Sequence, residues 1–227
     1  MSAHRIPRAA LVAYGACWLA VAGLVAVVIR LQVPDPSELL RDVADRRAVW
    51  IGANALLIAM QPLLMVGAPF LARDVGQRSE AAADAVRGLG ALAAAILAMS
   101  GVFHGVLGAH LADQVTAGAL DPDLVRSATV VHALGDTCWF VGLGALSALT
   151  AVTSAAWWRS TGRPRRRTAR LGAVAVVCGL LQFGWFVDHA FGLFAAPGTL
   201  LQAVWLGAAS AATTDRPPVT AVEAPTR

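Results

Sequence analysis

Long apolar stretches separated by short polar segments follow one another along the whole chain. A helix needs about 20 mostly apolar residues to cross the hydrocarbon layer of a bilayer. Stretches close to or above that length cover residues 9–29, 48–72, 88–112, 127–158, 171–194 and 197–214. This pattern predicts an all-α fold, a transmembrane bundle of six helices. The sequence AAPG at 195–198 predicts a tight turn, so that the last two helices form an antiparallel hairpin.

The polar segments contain recognisable helix starts. In DPSE at 35–38, Asp35 is a candidate N-cap, Pro36 suits the first helical position and Glu38 suits the capping box. A short amphipathic helix should follow on the membrane surface after the first span. Its expected apolar residues are Leu39, Leu40 and Val43. The sequence DPD at 121–123 predicts the start of the fourth helix in the same way.

The distribution of arginine predicts the orientation. All 18 basic residues are arginine, and 13 of them fall on one side if the six spans alternate, mainly in RSTGRPRRRTAR at 159–170. Cytoplasmic loops carry the excess of basic residues, so both termini are predicted to be cytoplasmic. Residues 1–214 then form one transmembrane domain. The polar, Pro-rich residues 215–227 are predicted to be a disordered cytoplasmic tail.

Composition agrees with a membrane protein and narrows the possible partners. Hydrophobic residues make up 57% of the chain and charged residues 14%, against about a quarter in soluble domains. The lipid bilayer is therefore the expected partner. The net charge of +4 does not indicate nucleic-acid binding, because the arginines lie in short loops beside the spans. The three cysteines lack metal-ligand spacing, and no soluble catalytic motif is present.

Three segments give the chain a resemblance to a known group of proteins. They are GLGAL in the fourth span, the basic segment RSTGRPRRRTARLG and the closing GTLLQAVWLGA. In these features and in the order of its elements, the chain resembles an uncharacterised family of six-span integral membrane proteins of bacteria. The resemblance implies six helices and a multi-pass location in the bacterial cytoplasmic (inner) membrane. It implies no activity.

Ionisable residues within the apolar stretches are the candidate functional residues. Counting about 1.5 Å per helical residue, His104, His132 and Asp136 lie roughly 8–14 Å in from the outer, non-cytoplasmic end of their helices. Asp188 and His189 fall near the same end of the fifth span. Charged groups inside a membrane are costly and are usually paired and turned inward. These five are therefore predicted to meet in the outer half of the bundle, with no ionisable group in the cytoplasmic halves.

One interpretation of this group is a metal or haem site. Neutral imidazoles from separate helices, each oriented by a carboxylate, are a common arrangement around metals. His104, His132 and His189 are the candidate ligands, with Asp136 and Asp188 as further ligands or as groups that orient the rings. Two of the histidines could instead bind haem axially.

A second interpretation is a membrane-embedded terpene or isoprenoid cyclase acting on a lipidic molecule. Asp136 and Asp188 would be the catalytic acids, because an apolar pocket raises the pKa of a carboxyl group. Aromatic faces would stabilise carbocations. The candidate substrate-binding residues are Asn54, Phe103, Trp139, Gln182, Trp185, Phe186 and Gln202. A third interpretation is a hydrogen-bonded packing network without chemistry, so whether the protein is an enzyme stays open.

Overall fold

The computed structural model describes residues 5–28, 35–115, 121–158, 160, 162–183 and 195–213. Every regular element within these residues is helical, which confirms the all-α prediction. The helices are α1 (Arg5–Val28), α2 (Pro36–Asp45), α3 (Arg47–Ala59), α4 (Gln61–Gly76), α5 (Glu80–Gly101), α6 (Gly108–Ala112), α7 (Pro122–Trp158), α8 (Arg163–Leu181) and α9 (Ala195–Ala212). A π-helical segment, Val102–Leu107, connects α5 to α6.

Four segments of the described chain are long and apolar enough to cross a membrane. They are Arg5–Leu24, Arg47–Gly76, Glu80–Ala112 and Pro122–Trp158, and they correspond to the first four predicted spans. Large apolar side chains remain exposed on them, such as Met65 and Met99. A lipid environment would cover such side chains, whereas water would not.

The last two predicted spans differ from expectation. Helix α8 begins at Arg163, inside the basic segment, and residues 184–194 of the predicted fifth span lie outside the described part of the chain. The predicted AAPG turn is wrong, because Ala195, Pro197 and Gly198 belong to α9. Proline is tolerated in the first turn of a helix, where its missing N–H would have no partner. The predicted tail, residues 215–227, also lies outside the described residues.

The main hydrophobic core holds α1, α4, α5, α7 and α9 together. Small residues let the helices approach closely: a Cβ on Gly90 of α5 would lie 2.4 Å from the Cβ of Ala68 on α4. Close approach of this kind is how transmembrane helices gain packing contacts. We call this group the core cluster; its members include Tyr14, Trp18, Leu64, Leu146, Trp157 and Trp205.

A second, smaller group of buried apolar residues lies apart from the first, and we call it the cap cluster. Its members are Leu40, Val43, Trp50, Ala109, Ala112, Leu124 and Ala128. Asp35 caps α2 as predicted, accepting a 2.9 Å hydrogen bond from the backbone N–H of Ser37. The apolar face of α2 is covered by the protein and not left open to lipid. Burying a Leu or Val side chain contributes about 1.5–3 kcal/mol, so Leu40 and Val43 hold α2 with modest strength.

Helix α7 is much longer than a bilayer is thick. Its 37 residues extend about 55 Å at 1.5 Å per residue, against a hydrocarbon layer of about 30 Å. Leu124 and Ala128 near its start belong to the cap cluster, whereas Leu143 and Leu146 belong to the core cluster. The cap cluster therefore surrounds the end of α7 that would project beyond the hydrocarbon layer.

Three segments of chain run from the cap cluster into the core cluster, and each has polar residues at the crossing. In α3, Asn54 lies between Trp50 and Leu57; in α7, His132 and Asp136 lie between Ala128 and Phe140. Ser100 and His104 occupy the corresponding stretch of α5 and the π-helical segment. The boundary between the two apolar clusters is thus a polar layer.

Candidate metal centre

His104, His132 and Asp136 come together at this boundary. The Nε2 atom of His104 lies 3.2 Å from Oδ1 of Asp136, and the Nε2 atom of His132 lies 3.4 Å from Oδ2 of the same carboxylate. The centroids of the two imidazole rings are 5.1 Å apart. The predicted convergence of these three groups is therefore confirmed, and one carboxylate sits between two histidines from different helices.

The π-helical segment places His104 in this position. A π-helix replaces i→i−4 with i→i−5 hydrogen bonds over a short stretch and is frequent at functional sites. Trp50 of α3 donates its indole N–H to the backbone carbonyl of His104, and the two rings meet edge to face at 86°. Trp50 therefore fixes both the backbone and one side of the ring of His104.

Gly135 provides the space for the His104 ring. A Cβ at residue 135 would lie 2.5 Å from Nε2 of His104 and 2.6 Å from its Cδ2. Any side chain there would push the ring away from Asp136, the next residue along α7. The site therefore requires a glycine at residue 135, because only glycine has no side chain.

The contacts of Ser100 favour one tautomer of His104. Its hydroxyl donates a 3.0 Å hydrogen bond to the carbonyl oxygen of Gly135, and its oxygen lies 3.3 Å from Nδ1 of His104. A hydroxyl has a single proton to donate. Since that proton is used for Gly135, Ser100 accepts from Nδ1–H, and the Nε2 atom of His104 is left with its lone pair.

This tautomer leaves two acceptors facing each other. A neutral His104 presents a lone pair at 3.2 Å from an oxygen of Asp136, and an ionised carboxylate has only acceptors. Two lone pairs at that distance repel each other unless a proton or a metal ion lies between them. The arrangement of Ser100, His104 and Asp136 therefore calls for a cation.

The geometry is suited to a small ion. One ligand atom from each of His104, His132 and Asp136 lies within 4.8 Å of the other two. Tetrahedral zinc with bonds of about 2.0–2.1 Å separates its ligand atoms by about 3.3 Å, close to the 3.2 Å between Nε2 of His104 and Oδ1 of Asp136. The side chains of His104, Asp136 and His132 are 12%, 35% and 38% exposed, so one side of the group is open.

A small pocket adjoins the two histidines. Its volume is about 20 Å³, enough for about one water molecule. Among the described residues, the polar side chains on its wall are His104, His132 and the indole of Trp50. The apolar wall is formed by Leu39, Leu40, Val43, Phe103, Ala128 and Val131.

The other predicted site residues are distributed unevenly around this centre. Phe103 lines the pocket as predicted. Asn54 lies nearby but donates its amide to the carbonyl of Trp50, at 2.9 Å, and supports that residue. Trp139 packs edge to face on Trp18 of the core cluster, with ring centroids 5.4 Å apart, and does not reach the pocket.

Gln202 and Gln182 lie elsewhere, among α7, α8 and α9. Gln202 accepts a 2.8 Å hydrogen bond from Thr150 and donates to Ser147 at 3.2 Å. Thr150 is about 21 Å along α7 from Asp136, so Gln202 does not belong to the same site. Gln182 is buried, and its side-chain oxygen has no hydrogen-bond partner among the described residues. Asp188, His189, Trp185 and Phe186 lie outside the described residues.

A second ionic group lies at the opposite end of the bundle, where none was predicted. Asp74 of α4 accepts a 2.5 Å hydrogen bond from the guanidinium of Arg165 and a 2.8 Å bond from the indole of Trp157. The side chains of Asp74 and Arg165 are only 6% and 9% exposed. The expectation that these helix halves lack ionisable groups is wrong, because α4 and α8 both extend further than the apolar runs indicate.

The sequence contains a signal for one of the supporting residues of the metal centre. Ser100 is four residues before His104, the spacing that puts two side chains on the same helix face. Trp50 and Gly135 have no such signal. Trp50 is far from His104 in sequence, and a glycine in a transmembrane helix is more often a packing residue.

The chain matches no protein-family model, no curated protein and no solved structure. The geometry of the site is therefore the basis for the proposed function.

Proposed function

We propose that the protein is a six-span membrane protein that binds one divalent transition-metal ion through His104, His132 and Asp136. The observation that carries this proposal is the Ser100 hydroxyl, which turns the Nε2 lone pair of His104 toward an oxygen of Asp136. A proton on Nε2 would satisfy that one contact. A metal ion would in addition engage Nε2 of His132, which lies 3.4 Å from the other oxygen of the carboxylate.

The ligand types favour certain metals. Two imidazoles and one carboxylate suit zinc, iron(II) or cobalt(II), whereas magnesium and calcium prefer oxygen ligands alone. Three protein ligands with one open position are typical of catalytic zinc sites, and structural zinc sites have four. We therefore infer a site at which a water molecule or a substrate completes the coordination.

The geometry favours a single ion over haem. Axial ligation by His104 and His132 would require a porphyrin plane between two rings whose centroids are 5.1 Å apart. The adjoining pocket of about 20 Å³ is far too small for a macrocycle. The cyclase interpretation is also less favoured, because Asp136 contacts two histidines and is not isolated in an apolar pocket.

The arginine distribution supports the rest of the proposal. Helices α8 and α9 would be the fifth and sixth spans, with both termini on the arginine-rich, cytoplasmic side. The metal site would then lie near the outer face of a bacterial cytoplasmic membrane, where the cap cluster projects. A cysteine introduced in α2 should be labelled by a membrane-impermeant thiol reagent in intact cells, once the three native cysteines are replaced.

Metal analysis of the purified protein tests the proposal. Protein extracted in mild detergent and supplied with zinc should retain about one ion per chain after dialysis. His104→Ala, His132→Ala and Asp136→Asn should each abolish retention. The matched control is His110→Ala, since His110 is an exposed histidine on neighbouring α6 outside the group. Equal retention by all four variants would reject the site.

Ser100→Ala tests whether Ser100 sets the tautomer of His104. Residues that hydrogen-bond a metal-ligating histidine typically contribute 10–100-fold to metal affinity. Ser100→Ala should therefore weaken zinc binding by about that factor while leaving the stoichiometry at one. Ser100→Thr keeps the hydroxyl and should retain most of the affinity. Unchanged affinity in the alanine variant would show that Ser100 does not set the tautomer.

A further inference from the structure

The pocket beside the two histidines has walls of opposite character. One side consists of imidazole groups, and the other consists of apolar side chains from α2, the π-helical segment and the first turns of α7. Asp136 is not on the pocket wall, so it lies behind the histidines as seen from the pocket. A molecule in the pocket would therefore meet the metal ion at one end and hydrocarbon surface along the rest.

The charge of the centre indicates the head group. A divalent ion with two neutral imidazoles and one carboxylate carries a net charge of +1. A monoanionic oxygen ligand would neutralise it, in an apolar setting where an uncompensated charge is costly. A carboxylate head is planar and small, and it fits beside the rings more readily than a tetrahedral phosphate would.

Helix α2 is the part of the pocket wall that can make room. At about 20 Å³ the pocket holds little more than a water molecule. Helix α2 supplies Leu39, Leu40 and Val43 to the wall, but only Leu40 and Val43 are buried in the cap cluster. Just beyond its far end, Arg47 at the start of α3 forms an exposed ion pair of 2.6 Å with Asp113, the residue after α6.

We propose that the site binds a carboxylate with a hydrocarbon chain, the head on the metal ion and the chain between α2 and α7. This inference rests on the proposed metal site. It assigns an amphiphilic monoanion, of the fatty-acid type, to the open coordination position. The displaced element is α2, which moves outward as the chain enters.

The test uses the visible absorption of the cobalt(II)-loaded protein, because ligands that bind the metal alter its d–d bands. Acetate, butanoate and hexanoate are titrated in turn. Each buried CH₂ should tighten binding by up to about fourfold, so hexanoate should bind at least tenfold more tightly than acetate. Leu39→Ser should reduce that ratio, because Leu39 lines the pocket and is only half-buried. Val130→Ser is the control, since Val130 of α7 is exposed and does not line the pocket.

The possible failures can be told apart. If cobalt binds but the three carboxylates have equal affinity, the metal site stands and the hydrocarbon pocket is rejected. If hexyl phosphate binds more tightly than hexanoate, the assignment of a carboxylate head is overturned. If cobalt does not bind at all, the metal site itself fails, and this inference fails with it.

Discussion

The two ionic groups of the bundle are built from similar chemistry and differ in how completely they are satisfied. Around Asp74, both carboxylate oxygens accept hydrogen bonds, and the group is almost fully buried. Around Asp136, the neighbours of the carboxylate are two imidazole nitrogens, at 3.2 and 3.4 Å, and about a third of the side chain is exposed. Trp157, which contacts Asp74, lies about 32 Å along α7 from Asp136. The two groups are therefore at opposite ends of the bundle.

This difference would separate a structural group from the proposed binding group. A buried carboxylate with a guanidinium and an indole N–H needs nothing further, so Asp74 serves to join α4, α7 and α8. A partly open carboxylate between two imidazoles has ligand atoms with no proton to share. Charge in a membrane is therefore a poor guide to function by itself, whereas unsatisfied ligand atoms in an accessible place are a good one.

Asp74→Asn should have the largest effect on stability. It leaves the charge of Arg165 without its carboxylate in a buried place, and removing one partner of a buried pair costs about 3–5 kcal/mol. Unfolding followed in mixed micelles would measure the loss. The double variant Asp74→Asn, Arg165→Met should recover more than half of it, because the buried guanidinium charge is then removed as well. The introduced amide oxygen can accept a hydrogen bond from Trp157 in both variants. No recovery would mean that Arg165 is not the relevant partner.

Gly135→Ala should disturb the group around Asp136 by crowding the His104 ring. The new methyl group would lie 2.5 Å from the His104 ring, and overpacking of this kind costs about 1–3 kcal/mol. The ring must turn, so zinc retention should also be lost. Gly88→Ala is the control, because a Cβ on Gly88 of α5 meets nothing within 4 Å. Full zinc binding by Gly135→Ala would contradict the described position of His104.

Asp136→Asn makes the comparison with Asp74 direct, since the chemical change is the same. In the metal-free protein it should alter the unfolding free energy by no more than about 1 kcal/mol, because partly exposed ion pairs contribute little. Zinc retention should nevertheless disappear. A loss of stability as large as that of Asp74→Asn would instead make Asp136 a structural residue, and the two groups would be equivalent.

The smallest effect concerns the start of α2. The backbone N–H of Ser37, and then its hydroxyl, hold the pKa of Asp35 below its ordinary value. A carboxyl with a lowered pKa stabilises the folded state above its unfolded pKa of about 3.9, and the effect is lost as the pH falls through the folded value. Relative to the intrinsic exchange rate at each pH, the protection of the amides in the first turn of α2 should therefore fall in acid. Asp35→Asn keeps a cap that does not titrate, so its exchange should lack this acid dependence.

The sequence predicted the all-α fold and the first four apolar spans, and it predicted the meeting of His104, His132 and Asp136, for physical reasons. Length and hydropathy determine which segments can cross a bilayer, and depth along antiparallel neighbours places these three residues at one level. It did not predict the pairing of Asp74 with Arg165. Asp74 lies two residues past the end of an apolar run, and Arg165 lies in a segment that resembled a solvated loop.

The details that define the site were harder to foresee. The π-helical segment leaves no pattern in the hydropathy. Gly135 contributes only the space left by its missing side chain. The AAPG turn was predicted wrongly because Pro and Gly are frequent in turns, whereas Pro197 here lies in the first turn of a helix. Local rules failed wherever a contact with a distant part of the chain decided the outcome.

The single extra residue in each π-helical turn has a consequence for how such a site could arise. Deleting one residue from Val102–Leu107 would restore ordinary α-helical phase and rotate everything beyond it by about 100°. Ala109 and Ala112 would then turn away from α2, while Ser100 would keep its place. Conversely, inserting one residue into an uninterrupted helix would turn Ala109 and Ala112 toward α2 without moving Ser100.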